Sequence, residues 1–131
     1  MGQFKTILDG NVIMNLEKIM QYDNFVVVGN TINNEKYAYK IKHKLLENNY
    51  NVECVGKELK SINDVNFDID VLDLCINPNL GINLLRENKK HIKAVVIQPG
   101  AESDEIIEYL NTNNIPYLEG CLLVGLSLYS K

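Results

Sequence analysis

No apolar run in the 131-residue chain approaches the roughly 20 residues needed to cross a bilayer, which excludes a spanning helix and argues against a membrane partner. The N-terminal MGQFKTILDG holds no apolar segment followed by a small-residue cleavage site, so no secretory leader is expected. Met1-Gly2 with Thr6 matches the N-myristoylation pattern only in part, and Met-Gly starts are common. Cysteine is scarce and odd in number. Cys54, Cys75 and Cys121 lie mostly within apolar stretches and lack metal-ligand spacing, as expected of reduced thiols in a cytoplasmic protein, and no metal site is expected. Basic residues are outnumbered, 13 Lys and Arg against 17 Asp and Glu, and the net charge of −4 argues against a nucleic-acid partner. An anionic ligand must then be held by local charges. No Pro/Ser-rich linker divides the chain, whose length suits one domain with an ordinary buried core.

What the chain does have is alternation. Phe25–Gly29, Tyr50–Gly56, Asp70–Ile76 and Lys93–Gln98 are short β-branched-rich runs, and Ile115–Gly120 is a shorter one. Several are apolar almost throughout, the pattern of strands covered on both faces. Helical stripes separate them: Tyr37 or Ala38 with Ile41 and Leu45; Leu84 and Leu85; Ile106, Ile107 and Leu110. Strands joined by helices run parallel, and right-handed crossovers then cover both faces. The fold class expected is α/β, a single doubly wound, mostly parallel five-stranded Rossmann-like sheet with helices on both faces. Before it, Asn11–Tyr22 predicts an amphipathic helix with Val12, Leu16, Ile19 and Met20 on one side. Residues 1–23 are therefore expected to form a helical segment packed on a domain spanning 24–131. Nothing in the sequence fixes an oligomeric state.

In such a sheet ligands bind beyond the carboxyl ends of the strands, where strand order reverses. That selects the loops Gly29–Asn34, Gly56–Glu58, Asn77–Asn79 and Gln98–Glu102. The first has the most suitable chemistry. Gly29 lets the backbone turn sharply, the following helix offers free N–H groups to a diphosphate, Thr31 adds a hydroxyl and Lys36 a mobile charge. The plainer alternative is that Gly29 ends a strand, Asn33 or Asn34 caps the helix, and Lys36 is solvated. Tyr37, near the first helical turn, is placed to line the cleft.

The nucleotide class narrows by what the loop lacks. A dinucleotide fingerprint needs G-x-G-x-x-G and an acidic residue about 20 positions later. Gly29-Asn30-Thr31-Ile32-Asn33-Asn34 has one glycine, and the second strand ends in Val55-Gly56-Lys57, with Glu58 next to it. A lysine there favours a phosphorylated ribose. No G-x-x-x-x-G-K-[ST] motif occurs, which excludes Walker-type binding.

VVVGNTINNEKYAYKIKHKLLENNYNVECVGK, DVLDLCINP and AVVIQPGAESDEIIEYL with NIPYLEGCLLV resemble, in order and spacing, the small stand-alone CoA-binding domain family, itself similar in fold to the CoA-binding domain of the succinyl-CoA ligase α subunit. The resemblance covers about Asn24 to Val124. It implies coenzyme A or an acyl-CoA as the small-molecule nucleotide ligand. Gly29, Asn30, Thr31 and Lys36 would then hold the diphosphate, Gly56 and Lys57 would meet the phosphorylated adenosine end, and Asn77, Pro78, Gln98, Pro99 and Gly100 would border the adenine or pantetheine path. Many members carry Asn-Pro where this chain has Gly56-Lys57. The likeness agrees with the charge argument, since a helix start with Lys36 and Lys57 neutralises phosphates locally in an acidic chain. The helix after Gln98-Pro99-Gly100 opens with Glu102, Asp104 and Glu105, which complement its dipole and repel phosphate, so that loop reads as a wall.

Signs of catalysis are few, and no catalytic residue is expected. His43 and His91 lie in lysine-rich helical surroundings and read as surface residues. Asp68, Asp70 and Asp73 read as strand-edge acids, and Asp104 and Glu105 as helix-cap acids. Cys121 is the one reactive candidate, with an inert buried thiol the simpler reading. Succinyl-CoA ligase-like enzymes need a phosphorylated histidine from an additional domain, which these residues do not supply. The expectation is a ligand-binding module, and the competing classes are a NADP-type oxidoreductase or nucleotide-sensing domain, and a partner-binding module in which Tyr37 and Tyr39 serve packing.

Overall fold

The computed structural model describes residues 15–131 throughout, together with three two-residue strands before them. These are β1 (Lys5–Thr6), β2 (Leu8–Asp9) and β3 (Val12–Ile13), with β2 and β3 paired antiparallel. Then follow α1 (Leu16–Ile19), β4 (Asn24–Gly29), α2 (Tyr37–Glu47), β5 (Asn51–Gly56), a 3-10 turn (Ile62–Asp64), β6 (Ile69–Cys75), α3 (Pro78–Glu87), β7 (Ile92–Ile97), α4 (Asp104–Thr112), β8 (Tyr117–Glu119) and α5 (Leu122–Tyr129). The main sheet runs β1-β8-β7-β6-β4-β5. Its five strands from β4 onward are parallel, and only the edge pair β1·β8 is antiparallel. This is the doubly wound Rossmann-like α/β fold that the alternation predicts.

The near-continuous apolar strands reflect burial on both faces. Successive residues of β4 alternate between two cores. Phe25 and Val27 face α1, α2 and α5 through Leu16, Ile19, Ala38, Ile41, Leu122 and Leu126. Val26 and Val28 face the 3-10 turn, α3 and α4 through Ile62, Ile82, Leu85, Ile106 and Leu110. In α2 it is Ala38 that joins the buried stripe, while Tyr37 is 64 % exposed.

Three local expectations change. The helix expected over Asn11–Tyr22 is confined to Leu16–Ile19, because Val12–Ile13 pairs as a strand and Asn15 caps the helix by accepting from the Lys18 amide. Asn11 and Met14 lie outside the described residues. Leu16, Ile19 and Met20 do enter the core, whereas Val12's side chain is not among the described ones. Asp73 is no strand-edge acid. It occupies the centre of the sheet between Val27 and Val96, fully buried, and neither carboxyl oxygen has a partner among the described residues. The terminal α5 is a further element, made from LLVGLSLY.

Strand order places β4 between β5 and β6. The chain leaves β4 toward β5, then crosses back over β4 to reach β6, so the reversal point lies between β4 and β6. Their carboxyl ends are in register, Gly29 opposite Cys75 on one side and opposite Gly56 on the other.

Candidate functional site

Above that reversal point lies a cleft of about 640 Å³. Of the expected site residues, Gly29, Asn30, Lys36, Tyr37, Gly56, Lys57 and Asn77 line it. The backbone explains why the floor is bare. A Cβ on Gly29 would lie 2.3 Å from the Cys75 carbonyl oxygen, and one on Gly56 would lie 2.8 Å from the Gly29 carbonyl oxygen. The three strand ends therefore close together only with hydrogen at both positions.

The turn after β4 is built by its own polar side chains. Asn30 Oδ1 accepts from the amides of Ile32 and Asn33, and Asn33 Oδ1 accepts from the Glu35 amide. Neither Asn33 nor Asn34 caps α2. The cap position belongs to Lys36, whose side chain makes no capping hydrogen bond. The other helix starts are provided for. Asn77 Oδ1 accepts from Asn79 N at the start of α3, Ser103 Oγ accepts from Ile106 N in α4, and Gln98 Oε1 accepts from Leu122 N in α5. Neither α2 nor α5 has a side-chain cap at its cap residue or an acidic first turn, but in α5 Gln98 takes the first amide, so among the described residues α2 alone of these four longer helices has no first-turn amide held by a side chain. Its start lines the cleft through Lys36, Tyr37 and Ala38. Orphan N–H groups and the positive end of the helix dipole thus meet the cleft.

Thr31 departs from expectation. It is 1 % exposed, and its hydroxyl donates to Glu58 Oε2 over 2.6 Å, so the side chain is turned away from the cleft. Lys42 Nζ holds the same oxygen at 2.8 Å. Burial pushes the Glu58 carboxyl up, but the hydrogen bonds from Lys42 and Thr31 together outweigh it and hold the group below its ordinary range. The hydrogen bond to Glu58 in turn raises the Lys42 ammonium. The acid that follows β5 is thus consumed within the protein, which leaves Lys57 and Lys60 as the cleft-lining charges of that loop.

Pro78 is the first residue of α3 and does not line the cleft. Gln98, Pro99 and Gly100 line smaller hollows beside it. One, about 240 Å³, shares Cys75, Ile76 and Asn77 with the cleft; another, about 210 Å³, shares Tyr37 and Cys75 and adds Cys121. Gln98 itself is buried, with Oε1 committed to Leu122 N. The Glu102 carboxylate folds onto the Gly100 amide at 2.8 Å, in keeping with a wall rather than an anion cradle. His43 and His91 are exposed, the former stacked on Tyr39.

Sequence reasoning missed Lys60 and the face of α3 formed by Leu80, Asn83, Leu84 and Glu87. The latter carried a signal, since i, i+3, i+4 and i+7 share a helix face. Lys60 carried only its proximity to Lys57. Among the described residues no group of three His, Cys, Asp or Glu is arranged to hold a metal ion, and no helix is long and apolar enough to cross a membrane.

Comparison with known proteins adds to this geometry. The family model described as CoA binding domain matches residues 23–127. A conserved hypothetical protein from Pyrococcus furiosus has a similar structure, with a TM-score of 0.67 and 23 % identity, covering 81 % of this chain and 99 % of that one. A Thermus thermophilus protein is similar at TM-score 0.64 and 19 % identity, over 87 % of this chain and 98 % of its own. A protein redesigned for binding matches at TM-score 0.70 and 20 % identity, over 84 % and 86 %. At these identities the three likenesses speak to the fold. No curated protein matches the chain.

Proposed function

Because the chain belongs to the CoA binding domain family, we propose that it is a binding module for CoA or an acyl-CoA that holds the ligand's diphosphate at the turn between β4 and α2. The observation that carries this reading is the uncapped start of α2, opening into a cleft beside Lys36, Lys57 and Lys60. Helix amides and lysines are the groups that bind phosphate oxygens. Gly29 and Asn30 bring the backbone to the diphosphate, while Gly56, Lys57 and Lys60 meet the phosphorylated ribose. Tyr37, Asn77 and the α3 face flank the adenine or the pantetheine arm, and Gln98, Pro99 and Gly100 wall its far end. Thr31 acts from behind, through Glu58.

The cleft brings together phosphate-holding groups without a nucleophile and adjacent base, so the module binds without a catalytic site of its own. Free cysteines at 54, 75 and 121 suit a reducing, cytoplasmic setting. The main rival is an NADP-type oxidoreductase or sensing domain, for which Lys57 and Lys60 also offer phosphate contacts. Against it stand the single glycine of the first turn and the internal use of Glu58.

Thermal denaturation with CoA, acetyl-CoA, NAD and NADP at equal concentrations tests the proposal. A ligand that binds only the native state raises the melting temperature by mass action. CoA or acetyl-CoA is expected to give the larger shift, and equal or greater stabilisation by either dinucleotide would overturn the reading.

A further inference from the structure

Two of the three cysteines meet at one end of the cleft. Cys75 ends β6, Cys121 precedes α5, and both line the 210 Å³ hollow with Tyr37, Gln98 and Pro99. Tyr37 and Cys75 also line the main cleft, so the hollow adjoins it. Strand order fixes the direction. Lys57 and Lys60 follow β5 at one edge, while Cys121 follows β8 on the other side of the reversal point. A ligand anchored by its phosphates at β4 and β5 and laid along the strand ends brings its opposite end to the two thiols. In CoA that end is itself a thiol.

We propose that this hollow is a thiol–disulfide exchange site, at which Cys121 captures CoA from a CoA disulfide as a mixed disulfide. The inference rests on the CoA-binding reading. Cys121 Sγ, as thiolate, attacks the sulfur of the bound CoA half. The protein–CoA S–S bond forms, the original S–S bond breaks, and the second CoA leaves as a thiolate that takes up the proton Cys121 gave up. One disulfide is consumed and one is made, so no other oxidant is needed.

The surroundings distinguish the two cysteines. Cys121 makes no capping hydrogen bond to α5, whose first amide is taken by Gln98, and its sulfur is uncommitted. It also lines a second hollow of about 310 Å³ with Glu102, Glu119, Gly120 and Val124, so it borders open space on two sides. Cys75 does not line that hollow. Burial, with smaller contributions from Asp73 and Cys121, pushes the Cys75 thiol up to about 12, so it stays protonated and does not attack the mixed disulfide to release CoA. The result is stoichiometric retention rather than turnover.

The test incubates the full chain with CoA disulfide and, separately, with glutathione disulfide, and follows the intact mass with time. Binding of reduced CoA is measured in parallel by calorimetry. The expected result is one CoA added per chain, at least about tenfold faster than glutathione because cleft binding concentrates the reagent. The adduct should vanish in Cys121→Ser, persist in Cys75→Ser, and be released by dithiothreitol. Reduced CoA that binds while CoA disulfide leaves no adduct would overturn the exchange site and spare the binding reading. So would an adduct that survives Cys121→Ser, or one formed equally fast by glutathione disulfide. Loss of reduced-CoA binding altogether would overturn both.

Discussion

Thr31 and Glu58 join the two loops that form the phosphate end of the cleft, the hydroxyl of one donating to the carboxylate of the other over 2.6 Å. The bond ties the turn after β4 to the turn after β5, and Lys42 completes it from α2. Thr31→Val keeps the shape and removes the donor. It is expected to cost about 1.5 kcal/mol of stability, the low end for a hydrogen bond to a charged group because Glu58 is partly exposed, and to weaken CoA binding by loosening the position of Lys57. Denaturant melts and calorimetry on the same variant check both, and a variant with unchanged affinity would mean that the loops are held by other contacts.

The linkage of Glu58 has a definite sign. Its carboxyl is lowered in the folded protein, so its contribution is present above the unfolded value of about 4.3 and is lost as pH falls through the folded value. With 37 % of the side chain exposed, solvent screening keeps this contribution small. A difference curve between the natural protein and Glu58→Gln against pH should therefore bend only in the acid range.

Lys36, Lys57 and Lys60 line the cleft and are exposed. Replacing any of them by Ala is expected to lower CoA affinity while changing stability by less than about 0.5 kcal/mol, as exposed substitutions do. The loss should shrink as salt is raised, since screening already weakens exposed charge pairs. Calorimetry at two ionic strengths measures this, and a lysine whose removal leaves affinity intact has no phosphate to hold.

Asp73 predicts the opposite pH dependence from Glu58. Full burial, with no partner for either oxygen among the described residues, raises its carboxyl well above the ordinary range, so the folded protein holds this proton to higher pH than the unfolded chain does. The unfolded chain ionises it near the usual value of about 3.9. Above that value the unfolded state binds fewer protons than the native state, and Asp73 subtracts stability progressively as pH rises toward its folded value, by at most about 1.4 kcal/mol per pH unit. Asp73→Asn abolishes that slope. Measured across pH 4 to 8, the variant should gain on the natural protein as pH increases, and a pH-independent difference would show that Asp73 is ionised in the fold.

These residues also mark what was legible in the sequence. The strand from Phe25 to Gly29 and the stripe of Ala38, Ile41 and Leu45 are local patterns, and local patterns survive folding. The segment LLVGLSLY has no polar face, so its period is invisible although it forms α5. Asp73 resembles other acids of DVLDLC until the sheet closes around it. Thr31 faced two possible partners, a ligand or Glu58, and a contact 27 residues away decided between them. Asn33 and Asn34 were plausible caps, but the turn consumed Asn33 and moved the helix start to Lys36. Pattern thus located the cleft loops, while tertiary contact decided which side chains enter the cleft.

The strand-end glycines separate lack of space from lack of conformational freedom. At Gly56 both act: φ is +127°, and a Cβ would press on the Gly29 carbonyl oxygen at 2.8 Å. At Gly100 only conformation acts, since φ is +93° and nothing lies within 4 Å of the added carbon. Gly100→Ala is therefore expected to cost about 1 kcal/mol, the lower end of the range for a strained backbone position. Gly56→Ala must pay a similar strain and also force apart two strands whose ends form the cleft floor. A backbone oxygen cannot swing aside as a flexible side chain can, so the cost should exceed that of Gly100→Ala by about 1 kcal/mol or more. Because the displaced atom belongs to Gly29 at the phosphate end, CoA affinity should fall further in Gly56→Ala than in Gly100→Ala, where the added carbon lies only on the wall of the far end. Melting curves and calorimetry on the two variants read both quantities, and equal losses of affinity would show that the cleft floor tolerates separation of β4 from β5.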